Sequence, residues 1–326
     1  MSNRSIGSYE PVKDFLPGLQ LNPARCNAKP FLKWAGGKTQ LLEQFLSYYP
    51  TELKNDEITT YIEPFIGGGA VFFDVIRKFN IEKAFLYDIN PELILAYYVI
   101  KHSPEDLINI LSEFSQRYYL LDETKRSEFF YDVRKNYNSK LQSIDLKKYN
   151  KDCLLRTAQM IFLNKTCFNG LFRVNKKGGF NTPFGGYKNP KILDAENIIN
   201  VSYALQIAEI KVGDFTDCEN KVDSKTFVYF DPPYRPLTNT SSFTSYAKNT
   251  FDEKEQSRLA IFFEKLNEKN AKLMLSNSDP KNVNREDEFF DELYKKFNIN
   301  RVAANRMINC NGNNRGKITE LLITNY

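Results

Sequence analysis

Asp231-Pro232-Pro233-Tyr234 comes directly after Phe227-Val228-Tyr229-Phe230, an apolar run of the length of a buried strand. An acid and two prolines just past the carboxyl end of such a strand fall in the crevice where open parallel sheets bind ligands. Proline has no N–H, so the Asp231 carboxylate and the Pro232 carbonyl are expected to leave the sheet as free acceptors. Two adjacent acceptors suit an exocyclic amino group, which has two donor hydrogens. Holding both draws the nitrogen lone pair out of conjugation and aims it at an electrophile. Tyr234 adds a flat ring on which a base swung out of a duplex can stack. The competing reading is a strand and a rigid turn in which Asp231 only caps.

A second constellation is Glu63-Pro64-Phe65-Ile66-Gly67-Gly68-Gly69, with Asp88 nineteen residues after Gly69. A glycine turn, a helix, a strand and then an acid suit a nucleoside at a sheet edge. The glycines admit the ligand to the backbone and the acid accepts from ribose hydroxyls. The turn departs from G-x-G-x-x-G, which argues against a dinucleotide whose pyrophosphate needs the helix N-terminus. A third block, Phe31-Leu32-Lys33-Trp34-Ala35-Gly36-Gly37-Lys38-Thr39, ends in Gly-Lys-Thr. A phosphate-binding loop would need glycine where Leu32 stands and a strand before it, so that reading fails. The alternative is a helix start with Trp34, the sole tryptophan, buried.

These blocks need an α/β scaffold. Tyr61 to Phe65 reads as a strand, Ala70 to Phe79 as a helix, Ala84 to Tyr87 as a strand ending at Asp88, and Asn90-Pro91-Glu92 as the start of another helix with Asn90 as cap. This β-α-β-α order is the opening half of a doubly wound sheet. The rhythm resumes with a strand at Thr226–Phe230, a helix over Asp252–Asn267, a strand at Ala271–Ser276 and a last strand over Lys317–Thr324. Between them, from about Lys101 to Ile210, the chain is first helical and then rich in Gly, Asn and Lys from Asn169 to Asn189.

The chain has 326 residues, 42% hydrophobic and 26% charged, enough for a large core. No apolar run reaches membrane-spanning length and the N-terminus lacks a signal-peptide core. Cysteines at 26, 153, 167, 218 and 310 include no C-x-x-C pair, as suits free thiols in a reducing, cytoplasmic setting. His102 is the only histidine and is expected exposed at a helix end, so zinc and acyl-transfer devices are poorly supplied, and no metal is expected. The net charge of +5 is unevenly spread: six Lys/Arg and no acid from Asn164 to Lys191, and four and no acid from Arg301 to Lys317. Such stretches suit a polyanionic partner.

In order, F-L-K-W-A-G-G-K (Phe31–Lys38), E-P-F-x-G-G-G (Glu63–Gly69), Y-D-I-N (Tyr87–Asn90), L-N-K-T-C-F-N-G-L-F-R-V-N (Leu163–Asn175), F-N-x-P-F-G (Phe180–Gly185) and D-P-P-Y (Asp231–Tyr234) resemble the Dam family of DNA adenine methyltransferases, with the restriction-system enzymes related to the DpnII methylase most similar. The resemblance implies a Rossmann-like AdoMet-dependent core with an inserted, mainly helical target-recognition domain. The division would be an N-terminal extension over 1–29, the catalytic domain over 30–100 and 205–326, and recognition over 101–204. It implies catalysis at Asp231, Pro232, Pro233 and Tyr234. AdoMet would lie against Trp34, Lys38, Phe65, Gly67 to Gly69, Asp88, Asp214 and Asp231. Double-stranded DNA would meet Lys33, Phe168, Asn169, Leu171, Arg173 and Pro183, with Lys176, Lys177, Lys188 and Lys191 on phosphates. Arg173 would read a guanine edge and Phe168 would be a wedge or stacking ring. Arg235 to Thr250 would be a lid over the flipped base. The implied target is adenine N6 within GATC, beside a partner endonuclease. Rival readings are an amino-methyltransferase for cytosine N4 or RNA, and a catalytically silent DNA-binding protein.

Overall fold

Short runs of β-branched and aromatic residues form the strands, and several stop at residues that line the crevice described below. A computed structural model describes residues 27–139, 150–235, 251–304 and 318–326. The strands are β1 (Thr60–Glu63), β2 (Lys83–Asp88), β3 (Ala208–Val212), β4 (Thr226–Phe230), β5 (Lys272–Ser278), β6 (Asn298–Ala304) and β7 (Ile318–Thr324). They make one sheet in the order β3-β2-β1-β4-β5-β7-β6. β1 to β5 run parallel, and β7 lies antiparallel between β5 and β6. The strand order reverses between β1 and β4, where Tyr61 pairs with Phe227 and Ile62 with Val228. Ligands of open α/β sheets bind at such a switch point.

Every residue of β4 is buried, as a central parallel strand covered on both faces requires. Its side chains alternate between two cores. Phe227 and Tyr229 enter one with α1 (Leu42–Tyr48), α3 (Ala70–Lys78) and α4 (Pro91–His102), while Val228 and Phe230 enter the other with α9 (Glu253–Asn267) and α10 (Phe289–Leu293). A one-turn α2 (Thr51–Lys54) leads into β1. The first core continues into α5 (Pro104–Leu120), α6 (Glu123–Ser139) and α7 (Lys151–Thr166) through Leu107, Leu111, Phe129 and Phe162, and α8 (Ala195–Ala204) returns the chain to β3. The nearly buried Arg156 of α7 donates to Glu92 in the first turn of α4 at 2.8 Å and to the Tyr137 carbonyl of α6 at 2.9 Å, tying these helices to the sheet's first half.

The sequence-based elements agree with this to within a few residues. Asn90 caps α4 by accepting from the N–H groups of Glu92 and Leu93, with Pro91 in the first turn. Asp252 caps α9 in the same way. His102 ends α4 and is exposed. Cys153, Cys167 and Cys218 are buried, and Cys167 and Cys218 are free thiols. Among the described residues no helix is long and apolar enough to cross a membrane, and no group of three or more His, Cys, Asp or Glu could hold a metal ion. The helix start with a buried Trp34, offered as the alternative for Phe31 to Thr39, is corrected: the segment is irregular, α1 begins at Leu42, and Trp34 is only half-buried, stacked on Phe172 at 5.3 Å. Most of the N-terminal extension, all but Arg235 of the segment Arg235 to Thr250 expected to be a lid, and most of the second basic stretch lie outside the described residues. Ala28 belongs to the first core and Asn197 of α8 clasps the backbone of Lys29, so the last residues of the extension pack on the body.

Candidate active site

The glycine turn between β1 and α3 is shaped by steric necessity. Gly69 caps α3 with φ at 72°, and a Cβ there would sit 2.6 Å from the Tyr97 hydroxyl and 3.0 Å from the Phe73 ring. Tyr97 in turn donates to the Gly67 carbonyl at 3.0 Å, fixing the turn from below. Asp88, at the end of β2, accepts from the Gly67 N–H at 3.2 Å and the Asn90 N–H at 2.9 Å. Burial pushes its carboxyl up to about 6 against the pull of these N–H donors. Asp214 follows β3 and caps the short turn Phe215–Lys221, accepting from Thr216. Arg258 of α9 grips both its oxygens at 2.8 and 2.7 Å, and these bonds hold its carboxyl down at about 2.

Asp231 lies just past β4, at the switch point. Lys38 meets its Oδ1 at 2.7 Å, and Ser276 of β5 donates to the same oxygen at 3.2 Å. Asp231 is therefore not the free acceptor the sequence suggested: its Oδ1 is taken by two donors, Lys38 and Ser276, and neither of these contacts uses Oδ2. Burial raises its carboxyl above the ordinary range and the Lys38 ammonium pulls it back. The Lys38 amine is 3% exposed and has three hydrogens for three acceptors: Asp231, the Gly36 carbonyl at 3.0 Å and the Tyr234 hydroxyl at 2.5 Å. Tyr234 passes its own hydroxyl hydrogen to Glu320 of β7 at 2.8 Å, with its ring 4.6 Å from the Lys38 nitrogen. Burial and the nearby Asp231 and Glu320 carboxylates raise the phenol, which stays a donor. Glu63, closing β1, is fully buried, bonded by Tyr61 at 2.7 Å, and raised well above the carboxylate range by burial.

Several of these groups line one cavity of about 1270 Å³, with Ser276 and Glu320 behind its wall residues Asp231 and Tyr234. Trp34, Lys38, Phe65, Gly67, Gly69, Asp88, Asp214, Asp231, Pro232, Pro233 and Tyr234 all border it, as does Lys33. Phe65, Phe215 and Phe251 form an aromatic wall with ring centres 5.5 to 6.1 Å apart, and Ile89 leaves 57% of its surface exposed at the rim. Sequence reading missed Ser276, Gln256, Asn277, Glu320 and Arg258. Their signal was present as polar residues interrupting apolar faces, as in Lys272-Leu-Met-Leu-Ser276-Asn277, but their partners are distant in sequence.

The family model for the D12 class N6 adenine-specific DNA methyltransferase matches residues 34–308. This chain belongs to that family. It is 52% identical over 299 residues to the type II methyltransferase M.MjaIII of Methanocaldococcus jannaschii, covering 91% of this chain and 99% of the relative. It is 39% identical to M1.LlaDCHI of Lactococcus lactis over 94% and 98% of the two chains. It is 35% identical to the DNA adenine methylase of Vibrio cholerae over 90% and 95%. The chain is thus an adenine-specific DNA methyltransferase.

In this D12-class enzyme the other predicted residues gather on a second surface beside the cavity. The chain leaving α7 makes a narrow loop closed by bridges between Cys167 and Phe184 and between Val174 and Phe180. The loop docks on the segment carrying Lys33. The buried Asn164 holds the Lys33 N–H and carbonyl and the Gly170 carbonyl, each at 2.9 Å. At Gly170, φ is 65° and a Cβ would fall 2.3 Å from the Lys33 side chain. Phe168, Asn169, Leu171, Arg173, Pro183 and Lys188 are all exposed. Phe168 and Leu171 show 56% and 43% of their surface, on the same loop as the exposed Arg173, Lys176 and Lys177. Asn169 has φ at 58°, its N–H held by the Tyr187 hydroxyl, and Arg173 is steadied by Asn181 at 2.8 Å. In the basic stretches, Arg301 is spent on Asp279 and Asp291, and Lys191 pairs with Asp194.

Proposed function

We propose that this methyltransferase moves the methyl group of AdoMet to N6 of adenine within GATC in duplex DNA, protecting the site from a partner endonuclease. The observation that carries the reading is the meeting of Asp231-Pro232-Pro233-Tyr234, the glycine turn and Asp88 around one cavity at the switch point. The residues fit AdoMet. Asp88 is a carboxylate acceptor at the end of β2 where ribose hydroxyls would lie, and the Phe65, Phe215 and Phe251 wall suits the adenine ring. A bound sulfonium supplies the electrophilic methyl group, so positioning and exclusion of water carry most of the catalysis.

The protein's part follows from the contacts. Lys38 and Ser276 occupy Asp231 Oδ1, which leaves Oδ2 and the Pro232 carbonyl for the two hydrogens of the target amino group. The proton released as the N–C bond forms has Asp231, with its raised affinity for protons, as its nearest acceptor. For a ring to stack on the base, Tyr234 has to part from Lys38 and Glu320. Residues 101–204 would form the recognition domain, with Arg173 on a guanine edge, Phe168 as wedge, and Lys176, Lys177 and Lys188 on phosphates. The DNA adenine methylases among the relatives support the base, and the type II methyltransferases support the protective role.

Incubation of duplex DNA with labelled AdoMet and nucleoside analysis should yield N6-methyladenine. Digestion by GATC-cutting enzymes of differing methyl sensitivity should show that site modified; N4-methylcytosine, or unmodified GATC beside another modified site, would overturn the respective part. Arg173→Ala should cost about 1–3 kcal/mol on the preferred site and relax sequence choice, whereas Lys176→Ala should weaken all sequences alike and lower the salt dependence. Equal losses on every sequence for Arg173→Ala, in competition binding, would remove its readout role.

Asp88 gives a pH signature. Its carboxyl, raised to about 6, accepts best when ionised, so AdoMet affinity should weaken as pH falls through that value. Asp88→Asn should bind more weakly above it and lose the pH dependence. Calorimetric titration of both proteins from acid to neutral pH checks this, and a flat wild-type profile would dissociate Asp88 from the ribose.

A further inference from the structure

Gln256 and Asn277 are polar residues where the fold calls for apolar ones. Gln256 is fully buried on the face of α9 that also carries Leu259, Phe262 and Phe263, and Asn277 is fully buried in β5. Burying two carboxamides is costly unless each finds partners. The partners form a chain that ends on the active-site turn. Asn277 donates its amide to the Gln256 carbonyl at 3.1 Å, and Gln256 donates its own amide to the Pro233 carbonyl at 3.0 Å. The sense of both bonds is consistent, since the Gln256 amide has one end accepting and the other donating.

The turn needs such an outside hold. Pro232 and Pro233 have no N–H, so two consecutive residues cannot use the backbone bonds that ordinarily set a turn. Asp231, before them, is held by Ser276, the residue next to Asn277. Adjacent residues of one central strand therefore reach the two ends of the same tripeptide, one directly and one through α9.

We propose that Gln256, oriented by Asn277, is a positioning residue that fixes the Pro232-Pro233 backbone and so sets where the Pro232 carbonyl meets the target amino group. The proposal rests on the reading of Asp231 to Tyr234 as the catalytic segment. Gln256 touches no reacting atom; it acts through the carbonyl it holds. A misplacement on the order of 1 Å at reacting groups can cost about 100-fold in rate.

The test is single-turnover methylation of duplex DNA by the full chain. Gln256→Met keeps the side chain's length while removing both hydrogen-bonding ends; Gln256→Asn keeps the carboxamide but is one methylene too short to span from Asn277 to Pro233. Both should lower the rate by about 10- to 100-fold, with binding constants for DNA and AdoMet kept within about threefold. Asn277→Leu should slow the reaction to a similar degree, and the Gln256→Met, Asn277→Leu double variant should be no slower than Gln256→Met alone, because one residue acts through the other. Melting curves identify the variants that fold, and two routes to the same broken contact keep the test open if one does not. A folded Gln256 variant turning over within about twofold of wild type would overturn the proposal, as would losses that multiply in the double variant. Asp231→Asn run alongside separates the two levels: if it also retains full rate, the catalytic reading itself has failed; if it alone is inactive, only the positioning role has.

Discussion

Asp231→Asn should lower the single-turnover methylation rate by about 100- to 1000-fold while leaving the AdoMet binding constant within about a factor of three. The size follows from which oxygen is engaged. Lys38 and Ser276 both donate to Oδ1, so an asparagine would keep its carbonyl oxygen there and present its NH2 group where Oδ2 had been. A donor would then face the hydrogens of the target amino group, and the negative charge opposite a nitrogen that becomes cationic during transfer would be gone. Preorganised charge in a site shielded from water is worth far more than the same charge in solution. Asparagine tests this better than alanine, because it keeps an oxygen for the buried Lys38 and for Ser276 where alanine would leave both donors without an acceptor and mix a larger folding defect into the rate. A near wild-type rate for the asparagine variant, measured with saturating DNA and AdoMet, would show that the carboxylate is not the acceptor.

The site was legible in the sequence to the extent that its chemistry is local. Asp231 to Tyr234 sit on the end of a strand whose apolar run is continuous, and the Gly67 to Gly69 turn and Asp88 are spaced by one helix and one strand, so the β/α rhythm alone puts them at the same edge. The helix starts at Asn90 and Asp252 were readable because a cap is decided by its next three residues. What could not be read was set by pairing at a distance. Nothing near Lys38 in the sequence names a partner for its amine, and Tyr234, which accepts from it, is 196 residues on. Glu320 enters because β7 is inserted antiparallel beside β5, an order that no local pattern specifies. The same blindness made Asp231 look like a free acceptor: the proline argument correctly removes backbone donors, but says nothing of an amine arriving from another segment. Asn181 beside Arg173 and Asn164 beneath Lys33 are further cases in which a residue of modest motif value holds a residue of high value.

Lys38→Met should cost about 3–5 kcal/mol of stability and about 100-fold in methylation rate, and should change how both depend on pH. The Lys38 ammonium faces Asp231 at 2.7 Å, Glu320 at 3.8 Å and, more distantly, Glu63, with the Tyr234 hydroxyl and Ser276 completing the cluster. Glu63 is already held far above the carboxylate range by burial, so the ammonium chiefly balances Asp231 and Glu320. Without it, burial and the Glu320 charge both push the Asp231 carboxyl up, and nothing of comparable strength pulls it back. A raised acid is ionised only at higher pH, so the activity of the variant should climb as pH rises, beyond the point where wild type has levelled off. Stability should move the other way. A carboxyl whose folded-state pKa lies above its unfolded value weakens the fold once both states are ionised, and that penalty is relieved as pH falls through the folded-state value. The melting temperature of Lys38→Met should therefore rise toward acid while its rate falls, and Lys38→Arg, which restores a cation but not its point geometry, should recover the stability better than the rate. Parallel pH profiles of rate for wild type and Lys38→Met, together with unchanged melting temperatures, would mean that the amine does not govern Asp231.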